Sequence, residues 1–409
     1  MIPVAEALER ILKSLQPLPA ETVGIAEAFG RVLARDIAAR VTQPPHAVSA
    51  MDGYAVRAAD VTGVPARLKV IGAVPAGGLF EGAIAAGEAV RIFTGAPLPS
   101  GADAIVIQED TEAGDGPNGD NWVTVKESCK PGTYVRAAGL DFAAGDPGPR
   151  AGRQLTVRDV GLIAAMNHPW VQVRRRPRVA ILATGDEVVM PGEPLGASQI
   201  VSSNGLALAA FVRACGGVPL QLGIAADTED SLAELAAGAK GADLLLTTGG
   251  VSVGEHDLVQ KALGQQGMEL DFWKIAMRPG KPLMFGRLAG TPVLGLPGNP
   301  VSAVVCSLLF ARPALNALLG LDVAAHPLEQ MVLGADLGAN DRRQDYLRST
   351  VALNGDGRRT ATPYGRQDSS MLALLAAADG LIVRPPLAPA AAKGELVEVL
   401  SFPRLVPGL

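Results

Sequence analysis

Cysteine, histidine and aromatic side chains are scarce here: three cysteines, four histidines and 4% aromatics in 409 residues. Cys129, Cys215 and Cys306 stand far apart with no CxxC pair, which fits a reducing compartment and argues against disulfides or a zinc–thiolate site. His46, His168, His256 and His326 are equally scattered without an HExxH, so no histidine-based transition-metal site is expected. Basic charge is not in excess: 36 Lys and Arg face 41 Asp and Glu, and the net charge of −5 speaks against a nucleic-acid partner. The one dense basic run, Arg174, Arg175, Arg176 and Arg178 around Pro177, reads as a solvated linker at a domain boundary. A basic stretch followed by an apolar one is missing at the N-terminus, so no signal peptide is expected. The most apolar segment, 301–321, is broken by Arg312 and Pro313 and reads as a core helix, so no membrane partner is expected and the protein should be soluble and cytoplasmic. No GxxxxGK[ST], no GxGxxG behind a strand and no GxSxG occurs, which sets aside P-loop NTPases, dinucleotide dehydrogenases and serine hydrolases.

What is present describes a packed globular chain, 48% hydrophobic and only 19% charged, long enough for two to four domains. Val4, Leu8, Ile11, Leu12 and Leu15 recur at helical spacing behind Pro3. A second helical segment is expected over 151–167, packed beside the first. Between them, β-rich runs at 68–74, 89–94, 104–108 and 122–126 alternate with Gly, Pro and Asp turns, with a hairpin loop at 113–120, so a small all-β module is expected. From Arg178 the texture changes to strands at 179–183, 218–224, 244–248 and 292–296. These are interleaved with helices at 204–215, 228–239 and 255–263 and one starting at 301, the signature of βαβ units in a doubly wound parallel sheet. Past 321 the runs 331–337, 345–353, 381–385 and 396–400 suggest a small barrel or sandwich.

The chemistry should lie in the loops behind those parallel strands. Thr184, Gly185, Asp186 and Glu187 follow the first; Ala225, Ala226 and Asp227 end the second. Gly249, Gly250, Ser252, Gly254, Glu255 and Asp257 follow the third, and Pro297, Gly298, Asn299, Pro300 and Ser302 the fourth. Open α/β sheets bind ligands at this edge, where glycines let backbone come close and helix starts present N–H groups to anions. Any one loop alone is an ordinary turn; four on one edge favour a site. Asp186, Glu187, Asp227, Glu255 and Asp257 offer the hard oxygens Mg²⁺ takes beside phosphates, although Asp186 and Glu255 read better as helix caps. Arg278, Pro279, Gly280, Lys281 and Pro282 add two cations on a stiff frame suited to an oxyanion. The residues alone thus reach a Mg²⁺-assisted site for a phosphate-bearing ligand, without naming the ligand.

Six motifs in order, spread over essentially the whole chain, go further. They are Met51 through Val56 (MDGYAV), Thr94 through Pro99 (TGAPLP), the Thr184–Glu187 loop, the 248–257 loop, Pro279 through Pro282, and 296–302. Together they resemble the molybdopterin molybdenumtransferases, the family of bacterial MoeA and the gephyrin E domain. The resemblance implies a helical discontinuous segment (1–40 and 140–173), a small β module (41–139), an α/β domain resembling the molybdopterin adenylyltransferases (174–320) and a C-terminal β barrel (321–409). It implies a reaction between adenylylated molybdopterin and molybdate, with Mg²⁺, that yields molybdenum cofactor and AMP. Glu187 and Asp257 would hold the metal, with Asp227 nearby. Lys281 and Ser302, with Arg348 and Ser369, would bind molybdate, and Arg342, Arg343, Arg366 and Ser370 are substitutes for the last two. Thr184, Gly185, Gly249, Gly250, Ser252, Gly254, Arg278, Pro282, Pro297, Gly298 and Asn299 complete the cofactor-binding set. The family is a homodimer in which Asp52 and Thr94 of the partner subunit complete the cleft, and Asp141 matches a further functional acid. A separate adenylyltransferase and other cofactor-biosynthesis proteins are the implied partners. Three positions depart from the family: Arg278 where Lys is frequent, Ser202 where an acid is frequent, and Leu140 within a usual Gly-Glu-Asp. A stand-alone adenylyltransferase would need only the α/β domain. The sequence is also compatible with a scaffold role and with tungstate in place of molybdate.

Overall fold

The computed structural model describes residues 1–115, 121–250, 258–323 and 327–402. It divides into two units, 36–150 with 158–170, and 1–35 with 151–157 and 171–409.

The first of these units is built on a six-stranded sheet. Its strands are β1 (Gly53–Val56), β2 (Ala66–Val74), β3 (Glu88–Ile92), β4 (Ala104–Ile107), β5 (Thr111–Asp115) and β6 (Asn121–Val125), in the order β4-β1-β3-β2-β6-β5. Alternate residues face opposite sides, so Tyr54 and Val56 join one apolar cluster while Ala55 joins the other. The four expected runs are all strands, and the expected loop at 113–120 begins later, because 113–115 still pair with 121–123 in the β5–β6 ladder. Residues 116–120 of that loop lie outside the described residues.

The expected helix over 151–167 is shorter, Val157–Ala165. Residues 151–156 run alongside the segment 30–33 instead, with Gly152 N–H on Leu33 O and Leu155 N–H on Arg31 O. Tertiary pairing overrides helix propensity there. Nor do the two helical segments share one body: the N-terminal helix (Val4–Lys13) belongs to the second unit, and all but the first residue of Val157–Ala165 to the first.

The second unit contains the α/β domain. Its strands β7 (Arg178–Thr184), β8 (Val218–Ala225), β9 (Leu244–Thr248), β10 (Met268–Trp273), β12 (Met284–Leu288) and β13 (Thr291–Leu296) lie in the order β8-β7-β9-β13-β12-β10. The first four are mutually parallel; β12 and β10 run antiparallel to their neighbours and were not expected from the sequence. The buried strands are apolar on both faces, as a covered parallel sheet requires. Val179, Ile181, Leu244 and Leu246 enter one cluster with helices Asn204–Ala214 and Pro300–Cys306. Ala180, Leu182 and Leu245 enter the other with helices Glu229–Ala237 and Leu258–Gln265. The N-terminal helix adds Ala7 and Ile11 to the first cluster.

Pro300–Leu318 is long and apolar enough to cross a membrane, yet it is mostly buried and serves as a core helix. Arg312 and Pro313 do not end it. A π turn at Ser307–Ala311 precedes them and widens the helix where proline has no N–H to give. The basic run is not a solvated linker either: Arg174 Nη1 donates to Leu18 O at 3.0 Å, and Arg175 forks onto both oxygens of Asp243 at 2.7 and 2.9 Å.

The C-terminal strands β14 (Glu329–Leu333), β15 (Gln344–Leu353), β16 (Arg359–Pro363), β17 (Gly380–Arg384) and β18 (Leu396–Ser401) close into a five-stranded barrel, since β15 pairs with both β16 and β17. The short strand β11 (Met277–Arg278) of the preceding domain pairs in parallel with β15, Met277 beside Gln344 and Arg278 beside Asp345. The whole is a multidomain α/β plus β protein with helices.

Candidate functional site

The order β8-β7-β9 means that the first α/β strand sits between the second and third, so the chain departs in opposite directions from β7 and β9. That switch point opens a crevice at their carboxyl ends. A cleft of about 1720 Å³ lies there, lined among others by Thr184, Gly185, Glu187, Asp227, Gly249, Gly250, Lys281, Pro282, Pro297, Gly298 and Asn299. All of these are residues that the sequence singles out, and one cavity gathers them.

Glycine is required at its floor. Gly249 has φ +93° and a Cβ there would stand 2.5 Å from Thr184 O and 2.8 Å from Thr184 Oγ1. Gly250, at φ +63°, would put a Cβ 2.9 Å from the same hydroxyl. Thr184 is buried, and its Oγ1 has no hydrogen-bond partner among the described residues. A buried hydroxyl without a partner is unusual, and a ligand group is one way to satisfy it.

Strand order also separates the charges. Asp227 and Glu187 follow β8 and β7, at one end of the sheet edge. Lys281 precedes β12, which is antiparallel, so Lys281 reaches the same edge near the other end. The acidic end is self-repelling: partial desolvation raises the Asp227 carboxyl above its ordinary range, with Asp186 and Glu187 adding to the shift. Asp227 N–H donates to Asp186 Oδ1 at 2.9 Å, so Asp186 ties the two acidic loops together and is not a helix cap: no helix starts behind it, and Thr228 caps the helix that follows Asp227.

A hydrogen-bond relay braces the cleft's centre. Asn204 Nδ2 donates to Gly298 O at 2.7 Å and to Thr248 Oγ1 at 2.8 Å, and Thr248 Oγ1 donates on to Pro297 O at 3.2 Å. Sequence pattern marks Asn204 only as a helix start; a Ser-Asn pair opening a helix beside glycine loops is the signal that points further. Ser370 also lines the cleft, while Ser369 stands behind it and accepts from Asn299 Nδ2 at 2.6 Å.

Other expected residues are placed elsewhere. Ser302 is buried in the first turn of its helix and does not line the cleft. Arg348 is 1% exposed, and all three of its side-chain nitrogens already donate: Nε to Gln367 Oε1, Nη1 to Met371 O, and Nη2 to Asp368 O and Arg366 O. It ties down the loop that carries Ser369 and Ser370. Arg278 turns away to Asp345 and Asp341. Ser252, Gly254, Glu255 and Asp257 lie outside the described residues.

Asp52, Thr94 and Asp141 belong to the other unit. Gly53 pairs with Ile92 across β1 and β3, which brings Asp52 and Thr94 together although 42 residues separate them. Thr94 N and Oγ1 both donate to Asp52 Oδ1, at 2.7 and 2.8 Å, and these bonds, the backbone one first, hold the carboxyl below its usual range. Asp141 is exposed.

Known proteins match along the chain. The MoeA N-terminal region (domain I and II) covers residues 2–167, a probable molybdopterin binding domain 180–317, and the MoeA C-terminal region (domain IV) 330–402. Molybdopterin molybdenumtransferase 2 of Mycobacterium tuberculosis is 37% identical over 92% of this chain and 92% of its own. The molybdopterin molybdenumtransferase of Nostoc is 36% identical over 94% of this chain and 89% of its own. The crystal structure of a molybdopterin biosynthesis MoeA protein from Pyrococcus horikoshii superposes with a TM-score of 0.84 at 33% identity, over 98% of this chain and 99% of that one. With three family regions in order and relatives matched end to end, the chain belongs to the molybdopterin molybdenumtransferase family and is a transferase of molybdenum cofactor biosynthesis.

Proposed function

We propose that the protein inserts molybdate into adenylylated molybdopterin, cleaving the adenylate to give molybdenum cofactor and AMP, with Mg²⁺ as its divalent cofactor. The observation that carries this reading is the charge polarity of the cleft: Glu187 and Asp227 toward one end of the sheet edge, Lys281 toward the other, glycines between. A phosphate-rich ligand and a tetrahedral oxyanion need such a division.

The acidic end suits Mg²⁺. Asp186, Glu187 and Asp227 bring hard oxygens, and the Asp227 carboxyl is raised in part by the other two, a repulsion that a divalent cation would relieve. No group of three or more such ligands is gathered among the described residues, so phosphate oxygens would complete the shell, as is usual for Mg²⁺. Glu187 and Asp257 would hold it, with Asp227 close by. Bound there, it would neutralise charge developing on the phosphates.

The chain's own groups do the rest. Gly185, Gly249 and Gly250 admit the ligand against backbone, and the Thr184 hydroxyl, unpartnered among the described residues, gives it a hydrogen bond. Lys281 neutralises the oxyanion as a compact point charge, beside Pro282 and Ser370. Ser302, Ser369 and Arg348 support this wall from behind. A homodimer would let the preformed Asp52–Thr94 corner of a second copy complete the cleft, with Asp141 as a further acid. A separate adenylyltransferase would supply the activated pterin, and the reaction belongs in the cytoplasm.

The test is incubation with adenylylated molybdopterin, Mg²⁺ and molybdate, following AMP release and metal bound to pterin. Molybdate-dependent release, lost in Glu187→Ala and in Lys281→Ala, is expected. Tight pterin binding without AMP release under any oxyanion would overturn the transferase mechanism.

A further inference from the structure

Arg278 and Asp345 meet where the α/β domain joins the C-terminal barrel. Arg278 Nε donates to Asp345 Oδ2 at 3.1 Å, and Nη2 reaches the same oxygen. Nη1 and Nη2 also contact Asp341 Oδ2 and Asn340 Oδ1, each at 3.5 Å. Asp345 is buried, its side chain 5% exposed, and its second oxygen has no partner among the described residues. Arg278 is therefore not at liberty. Were it to swing toward the cleft, it would leave a buried carboxylate without its hydrogen-bonded cation, with only the more distant charge of Arg343 to offset it, a costly defect in a fold.

The pair acts on a short lever. Arg278 sits in β11 directly beside Asp345 of β15, and Lys281 follows three residues on. Gln344 N–H donates to Ala276 O, Ile275 N–H to Lys281 O and Lys274 N–H to Leu283 O, so the loop bearing Lys281 is tied at both ends. Gly280 at its tip sits against Cys306, where a Cβ would come within 2.5 Å of the sulfur. The loop thus has a fixed seat on one side and the Arg278–Asp345 pair on the other.

We propose that Arg278 is a positioning residue and not an anion ligand: its pairing with the buried Asp345 latches the Lys281 loop to the C-terminal barrel. The side chain matters through its shape. A guanidinium fork spans Asp345, Asp341 and Asn340 together, which the point charge of a lysine cannot do. So far as Lys281 binds the oxyanion, the inference rests on the function proposed above.

The experiment is a double-mutant cycle on the full chain with Arg278→Ala, Asp345→Asn and the pair combined. One readout is amide exchange at Lys274, Ile275 and Gln344; the other is the KM for molybdate set against kcat. Each single variant is expected to speed exchange about tenfold and raise the molybdate KM several-fold with kcat little changed, the double variant being no worse than either single. Arg278→Lys should fall between wild type and Arg278→Ala. If Asp345→Asn leaves exchange and KM unchanged while Arg278→Ala raises KM alone, Arg278 is a direct ligand and the latch is overturned. Should Asp345→Asn fail to fold, Arg278→Ala and Arg278→Lys still decide: unchanged exchange in both would overturn the latch. A wild-type protein without molybdate-dependent AMP release would sink the proposed function, while the exchange cycle would still judge the latch.

Discussion

The α/β cleft and the C-terminal barrel treat their charged side chains in opposite ways. Among the described residues at the cleft, Thr184 Oγ1 is buried without a partner and Lys281 forms no ion pair, while Asp227 is repelled by Asp186 and Glu187. In the barrel and at its junction with the α/β domain, charge goes into the fold: Arg343 on Asp341 at 2.6 Å, Arg278 on Asp345, Arg359 on Glu329, and Arg348 on the carbonyls of its loop. Residue type alone does not separate the two. An arginine and a lysine three positions apart, Arg278 and Lys281, end on different sides of the distinction. An unsatisfied polar atom is not enough by itself, since Asp345 Oδ1 in the barrel is also buried without a partner among the described residues; what marks a binding group is that it belongs to a residue lining the cleft, as Thr184 does.

The largest expected effect would break the comparison from the barrel side. Arg348→Ala removes a buried donor from several loop acceptors and should destabilise the protein by about 3 kcal/mol, seen as a lower urea midpoint. If Arg348 is instead a free anion ligand, stability should change little while molybdate binding fails. Next comes the cleft floor. Gly249→Ala combines positive φ with a backbone collision and should cost about 2–3 kcal/mol and remove pterin binding, measured by urea unfolding and titration calorimetry. Gly241 has a similar φ of +81° with nothing within 4 Å, so Gly241→Ala should cost only about 1 kcal/mol and leave binding intact. Equal losses at both glycines would show that conformation, and not the crowding against Thr184, sets the requirement.

Much of the fold and of the cleft is legible in the sequence, for definite reasons. The central strands of the parallel sheet are continuous apolar runs such as 179–183 and 244–248, and their loops carry the glycines that only a close backbone approach explains. The antiparallel strands β10 and β12 are hidden because Met268–Trp273 lies at the sheet edge and carries exposed Glu269 and Asp271, which blur a buried-strand pattern. The helix expected over 151–167 is too long because nothing local to 151–156 signals its pairing with 30–33. Arg278 and Arg348 read as oxyanion ligands for a similar reason. A cation's partner, here 67 residues away for Arg278, is a property of topology, and until it is known an arginine looks available.

The smallest effect is one of sign, and it carries the comparison into pH dependence. Asp341 is held down to about 2, first by its hydrogen bonds to Arg343. Its folded pKa is below its unfolded one, so its contribution is present above the ordinary carboxylate range and is lost as pH falls from about 4 toward 2. Asp227 is shifted upward, chiefly by desolvation, so the sign reverses. Between the ordinary carboxylate range and its raised folded value the native state holds more proton than the unfolded one, and stability rises as pH falls through that window. Asp341→Asn should therefore flatten the acid limb of stability against pH, whereas Asp227→Asn should raise stability at neutral pH and remove the opposing slope. Urea unfolding followed from about pH 7 to about pH 3 in wild type and both variants reads the two signs directly. Adding Mg²⁺ should pull Asp227 toward its ordinary range and shrink the effect of Asp227→Asn, because a cation at the acidic end relieves the repulsion that the substitution also removes. If Mg²⁺ leaves that difference untouched, the metal binds elsewhere than at the acids behind β7 and β8.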